Sequence, residues 1–265
     1  MVDSIQTLFS HEVSSPAGSI SQVTTSADKL VHLAKGFNIP IIIVGHITKT
    51  GNIAGPKTLE HLVDTVLYFE GDKKHEFRIL RVEKNRFGPT DLVGLFKMTE
   101  SGLKEVKDTK ELFQPKQAPA IGSVFTVAIE GNRPIVLEVQ ALCTKSYFEI
   151  PRRTTSGFEK ARLNIILALL DKILKLKTYA YDVYVNITGG LNIKDPGIDL
   201  AVLKAIISSI KNEPVDPKNL YFGEVGLTGE IRKVMFQEKR TKEAKKLGFQ
   251  KIICSDYVQQ IKNLV

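Results

Sequence analysis

Tryptophan is absent from the 265 residues, and only two cysteines occur. Cys143 and Cys254 stand in separate apolar, strand-like runs with no Cys-x-x-Cys spacing, which points away from a disulfide framework and from a zinc site. A reducing, cytoplasmic setting is the natural expectation. No apolar run approaches the ~18 residues that a membrane span requires, and no basic-then-apolar leader opens the chain, so no membrane partner is expected. There is no internal repeat and no low-complexity tract. The dipeptide Gly-Lys does not occur, so the G-x-x-x-x-G-K-[ST] loop that cradles nucleotide phosphates is missing.

What is present is ordinary globular material, 43% hydrophobic and 25% charged, in a chain long enough for two cored domains. Lys and Arg exceed Asp and Glu by 37 to 29, giving a net charge of +8 and a pI near 9.3. That excess favours polyanionic partners such as nucleic acid. Two of these cations fall within five residues, Lys84-Asn85-Arg86-Phe87-Gly88. Strand-like Phe77–Val82 precedes it and Leu92–Phe96 follows, with Gly88-Pro89-Thr90 as turn chemistry, so Lys84 and Arg86 are expected at a strand end. Standing alone, such a pair reads as a solvated hairpin tip.

Asp3 looks like a carboxylate closing a buried strand, either beside a nucleotide-bound magnesium ion or as a turn cap. Residues 9–19, rich in serine, read as a mobile surface loop, and a helix follows in which Val23, Ala27, Leu30, Val31 and Ala34 recur at helical spacing before Gly36. The run from Pro40 to His46 predicts a strand buried on both faces of a parallel sheet. His46 at its end contacts a phosphate or a bound strand, or is a hydrogen-bonded structural residue. Thr48 to Lys57, rich in glycine and carrying Lys49 and Lys57, can offer amides and charge to phosphates. Thr65–Phe69 is another strand, and Phe77 to Met98 forms an antiparallel edge.

Between Glu105 and Pro119 the composition turns polar and Pro-containing, which places a domain boundary near 115 and gives domains 1–115 and 116–265. The second domain opens with strands over 124–129 and 135–142. Ser156-Gly157-Phe158-Glu159 resembles a capping box, starting a helix with Phe158, Ala161, Ile165, Ile166, Leu169, Leu170, Ile173 and Leu174 on its apolar face. Strands near 182–188, 219–225 and 251–254 alternate with helices from about Pro196 to Ile210 and about Gln237 to Leu247. Both domains are α/β.

Taken together, Asp3-Ser4-Ile5-Gln6-Thr7, Ile43-Val44-Gly45-His46-Ile47-Thr48-Lys49, Ala54-Gly55-Pro56-Lys57, Leu59-Glu60-His61, Val63 to Gly71 and Lys84-Asn85-Arg86-Phe87-Gly88 closely resemble the bacterial RadA family, also called Sms, from Asp3 to the C-terminus. The resemblance implies a fold in two parts: the second half of a RecA-type ATPase core, with a partial parallel sheet and an antiparallel hairpin edge, then a Lon-protease-like α/β domain. It implies a DNA-dependent ATPase and helicase of recombinational repair that drives branch migration, using ATP and magnesium. Its partners are single-stranded and branched DNA, further copies of itself in a hexameric ring, and a recombinase. The zinc motif and phosphate loop that precede these parts in the family are absent here. The reading is therefore of a fragment, from a truncated frame, a split gene or an expression product, that binds neither ATP nor magnesium well by itself.

Within that resemblance Asp3 is the magnesium-associated carboxylate, His46 the phosphate sensor, and Lys84 and Arg86 the cations that reach a neighbouring subunit's nucleotide. Lys49, Lys57 and the serine-rich loop would face DNA. Lon-like peptidases use a Ser–Lys pair. Here Ile198, in Lys194-Asp195-Pro196-Gly197-Ile198, occupies the serine position and Glu238 the lysine position, so no peptidase activity is expected. Arg232, Lys233, Lys239, Arg240, Lys242, Lys245, Lys246 and Lys251, joined by Arg152 and Arg153, form either a solvated face or a duplex-DNA surface. A non-catalytic DNA-binding and ring-forming module is the alternative to the motor; a Lon-like serine peptidase is the third and least favoured reading.

Overall fold

In the computed structural model, which describes residues 1–46, 59–71, 76–106 and 118–264, a buried carboxamide shapes the N-terminal part. Helix α1, Ile20–Phe37, begins where the Ser19 hydroxyl accepts the N–H of Gln22 and ends at Asn38 in the left-handed conformation. Gln22 is fully buried. Its Oε1 accepts the N–H of Ser10 at 2.8 Å, and its Nε2 donates to the carbonyls of Ser10, Val13 and Ser15 at 3.0, 2.9 and 2.9 Å. The segment expected to be a mobile loop is thus tied to the helix. A side chain twelve positions away, rather than the local turn chemistry, fixes it.

Strand β1, Val2–Asp3, pairs in parallel with β2, Ile43–Val44, in the register Val2↔Ile43 and Asp3↔Val44. Ile5, Val23 and Ala27 form the small core here, with Leu8, Leu30, Ile43, Leu59 and Leu62 against it. The expectation of a strand from 40 to 46 buried on both faces is corrected. Among the described residues only Ile43 and Val44 enter the ladder, paired with a strand of two residues, and Ile42 is 66% exposed. A helical turn at 59–62 leads to β3, Thr65–Glu70.

Two compact units divide the chain, Met1–Tyr68 with Val82–Thr90, and Phe69–Arg81 with Asp91–Val265. The boundary expected near 115 lies outside the described residues. In the second unit, β4 (Phe77–Asn85) pairs antiparallel with β5 (Val93–Thr99) from Phe77↔Lys97 to Arg81↔Val93, and β5 pairs with β6, Gly102–Glu105. Phe77, Ile79 and Leu95 of this meander are buried in the same cluster as Val124, Ala128 and Leu137.

The rest of that unit is built on β7, Ser123–Glu130, and β8, Arg133–Lys145, an antiparallel pair running from Ser123↔Gln140 to Glu130↔Arg133. Their turn needs glycine: Gly131 has φ +60, and a Cβ there would lie 2.2 Å from the carbonyl oxygen of Asp91. Strand β9 is Arg153–Ser156, β10 Tyr181–Ile187, β11 Asn219–Tyr221, and a separate short pair joins β12, Glu224–Val225, to β13, Ile231–Arg232. With β14, Lys251–Ile253, the six-stranded sheet has the order β14-β11-β7-β8-β10-β9, mixing parallel and antiparallel pairs.

Alternation along β7 explains the layers. Val124 and Ala128 face the large core with helices α2, Lys160–Leu169, and α3, Asp199–Lys211. Phe125 and Val127 face the other way, toward Ala244 of α4, Gln237–Lys246, and toward Phe249 and Cys254. The architecture is α/β, as the sequence predicts. The capping box is not formed: Ser156 is used in β9, and Glu159, the N-cap of α2, makes no side-chain capping bond. The helix turns Leu163 and Leu167 inward and leaves Ala161 exposed.

Candidate functional site

Parallel pairing of β1 and β2 brings Asp3 and His46 together at the carboxyl ends of neighbouring strands, where ligands bind in open α/β sheets. His46 Nε2 lies 3.9 Å from Asp3 Oδ1, both side chains are exposed, and the His46 carbonyl accepts Gln6 Nε2 at 3.1 Å. A carboxylate and an imidazole thus converge on one solvent-facing edge. One exposed carboxylate suits magnesium held mainly by water and phosphate oxygens. The sequence contains no Gly-Lys dipeptide, and among the described residues no cluster of three metal-ligating side chains occurs.

The basic pentapeptide is laced to the helical turn before β3. Lys84 is half-buried, and its ammonium donates to the carbonyls of Glu60 at 2.5 Å and Val63 at 2.8 Å, in and just after the turn at 59–62. Glu60 in turn accepts Tyr68 Oη at 2.6 Å. Arg86 pairs with Asp64 twice, through Nη1 to Oδ1 at 2.9 Å and through its N–H to the backbone carbonyl at 3.0 Å. Phe87 beside them is exposed. Lys84 is therefore satisfied by its own chain, whereas Arg86 keeps half of its side chain open to solvent. For either cation to grip a phosphate, these bonds have to be exchanged.

In the second unit Ile198 closes the 3-10 turn Pro196–Ile198 that leads into α3, and its side chain is wholly inside the core. Glu238 is exposed in the first turn of α4. What occupies the space between these elements is an ion pair that no local sequence signal announces. Arg240 is 1% exposed and its Nη1 lies 2.7 Å from Asp195 Oδ2; it also donates to the carbonyls of Val127 at 2.6 Å and Met235 at 3.0 Å. Asp195 further accepts the N–H groups of Gly197 at 2.8 Å and Ile129 at 2.6 Å. The assignment of Arg240 to a DNA-facing surface is accordingly corrected, because a guanidinium enclosed by the core reaches no solvent.

A second buried pair joins Arg162 to Asp199, which also accepts the N–H of Val225 at 3.2 Å. Burial pushes the Asp199 carboxyl up, and Arg162 opposes it. In the meander, Arg81 contacts both Glu70 and the buried Glu130. Sequence reading missed Asp195–Arg240, Arg162–Asp199 and Arg81–Glu130 because the partners are separated by 45, 37 and 49 positions and share no periodic pattern.

The other expected DNA contacts divide by exposure. Arg153 is turned inward, donating to the carbonyls of Tyr181 and Thr178. Arg152 is exposed and lies over the ring of Phe148 at 4.3 Å. Arg232 meets Glu230 at 2.5 Å, Lys233 meets Asp256 at 3.7 Å, and Lys239 sits over the Phe236 ring at 4.8 Å, all on the surface. Lys49 and Lys57 lie outside the described residues.

No family model matches the chain. It is 49% identical over 253 residues to a DNA repair protein RadA of Helicobacter pylori, a match that covers 96% of this chain and 56% of the relative. A DNA repair protein RadA of Rickettsia conorii is 50% identical over 258 residues, covering 97% and 58%, and one of Bacillus subtilis is 47% identical over 254 residues, covering 96% and 56%. The chain thus spans a little over half the length of these relatives.

Proposed function

Because this chain is a RadA-family sequence over nearly its whole length, we propose that it serves DNA repair as part of a DNA-dependent ATPase and helicase that promotes branch migration. The observation that carries this reading is the 47–50% identity, which extends through both compact units. The meeting of Asp3 and His46 at the carboxyl edge of the parallel strands supports a nucleotide-side role for that edge. Arg86, and Lys84 once released from Glu60 and Val63, would act on the nucleotide of a neighbouring subunit in a ring. ATP and magnesium belong to the assembled motor. The exposed cations Arg152, Arg232, Lys233 and Lys239 supply a DNA-facing surface.

The second unit acts without peptidase chemistry in this proposal. An aliphatic side chain at Ile198 offers no nucleophile, and an exposed carboxylate at Glu238 offers no lysine-type base.

A second reading is favoured by a specific observation. With no Gly-Lys dipeptide in the sequence and Lys84 held by its own carbonyls, the chain by itself is a DNA-binding and ring-forming module without turnover. Binding titrations of the pure chain with oligonucleotides and with ATP separate the two. Salt-sensitive DNA binding without nucleotide binding fits the module, and ATP hydrolysis by the pure chain fits the motor. Absence of DNA binding at low salt would overturn both.

A further inference from the structure

We propose that residues 145–152 together with 177–179 form a stacking platform for the unpaired bases of single-stranded DNA. The inference rests on the DNA-binding reading above and names a different form of DNA from a duplex surface. Tyr147 is 94% exposed and Tyr179 63% exposed, with Phe148 between them in sequence terms and also largely open. Burying aromatic rings is strongly favourable, so two uncovered rings, Tyr147 and Tyr179, beside a half-exposed Phe148 with Arg152 over its face are a departure from the ordinary surface.

The two segments are held together by backbone bonds. Ser146 N–H donates to the Ala180 carbonyl at 2.9 Å, Lys145 is the ladder partner of Tyr181, and Arg153 donates to the carbonyls of Tyr181 and Thr178. The Ser146 hydroxyl accepts the N–H of Phe148 at 3.2 Å, and Asp182 accepts that of Arg152 at 2.8 Å. The rings therefore project from an anchored base.

Charge selects the occupant. Lys145, Arg152 and Lys177 are exposed around the rings, Arg152 over Phe148 at 4.3 Å, and Glu149 is the loop's only acidic residue between Lys145 and Arg153. Cations suit phosphates and open ring faces suit base faces. A duplex keeps its base faces stacked on one another, so only an unpaired strand offers both.

The test uses the intact chain and three fluorescent DNAs: an oligo-dT strand, a strand of the same length with abasic sites in place of the bases, and a duplex. The platform predicts tighter binding of oligo-dT than of the abasic strand. It also predicts that Tyr147→Ala, Phe148→Ala and Tyr179→Ala together weaken oligo-dT binding by about 5- to 150-fold per stack lost, leaving abasic binding and its salt dependence unchanged. Tyr147→Ala alone, at a position almost wholly in solvent, gives the same comparison with no burden on folding. Equal affinity of the unaltered protein for the two strands, or unweakened oligo-dT binding by the variants, overturns the platform while leaving DNA binding in place. Failure to bind any of the three DNAs removes the DNA-binding reading as well.

Discussion

The guanidinium of Arg240 and the carboxylate of Asp195 are 2.7 Å apart in a place shut off from solvent, joining α4 to the turn that starts α3. They join the turn that carries Ile198 to the helix that carries Glu238, the two positions at which the resemblance to Lon-like peptidases looks for a serine and a lysine.

Removing one member strands the other. Arg240→Met leaves Asp195 with two backbone donors and no cation, and we expect a loss of about 3–5 kcal/mol in urea unfolding of the intact chain. Arg240→Met with Asp195→Asn should lose markedly less than the sum of the single changes. Additive losses would show that the two residues act independently.

Ile198 is a core residue first. Ile198→Ala should cost about 2–5 kcal/mol, the usual range for emptying a fully buried aliphatic site, and Ile198→Ser should hydrolyse no unfolded casein although it supplies a hydroxyl. Casein cleavage by the serine variant would return the second unit to the peptidases.

Lys84→Met keeps the stem and removes the donors for the carbonyls of Glu60 and Val63. A loss of about 1.5–3 kcal/mol is expected for the unit that contains it, seen as faster amide exchange in residues 59–68. In a RadA protein that also carries a phosphate loop, Lys84→Ala should abolish DNA-stimulated ATP hydrolysis while nucleotide binding survives. Unchanged turnover there would remove Lys84 from the chemistry.

Glu230 sets a pH dependence. The Thr228 hydroxyl and the Arg232 guanidinium, both donating to it, hold its carboxyl down at about 2. A depressed folded value stabilises above the unfolded value near ~4.3 and loses that stability as pH falls toward the folded one. Glu230→Gln should therefore be less stable than the unaltered chain at pH 7, and the gap should shrink between about pH 4.3 and 2. A gap constant over that window would mean that the carboxylate is not held in this way.

Much of the second unit was legible because its signals are local. Val124 to Ile129 and Ile135 to Leu142 are apolar runs of strand length around a glycine that the turn requires, and α3 and α4 begin within a few residues of their expected starts. The first unit was read less well. Pro40 to His46 carries the composition of a buried strand, but burial is conferred by neighbours, and here the neighbour is two residues long. Asp3 and His46 were each visible as strand-end residues, and only the register of the ladder shows that they meet. Arg240 was misjudged for a general reason: charge in a sequence says nothing about which side of a helix a cation occupies. Five cations of α4 look alike in the chain, and one of them is sealed inside.

Gln22 gives the N-terminal segment its timing. Because one carboxamide spools in the backbone at Ser10, Val13 and Ser15, that segment has no independent conformational life; it opens when the first turn of α1 opens. The amide hydrogen of Ser10 should exchange in step with the start of the helix, as one cooperative element rather than as surface chain.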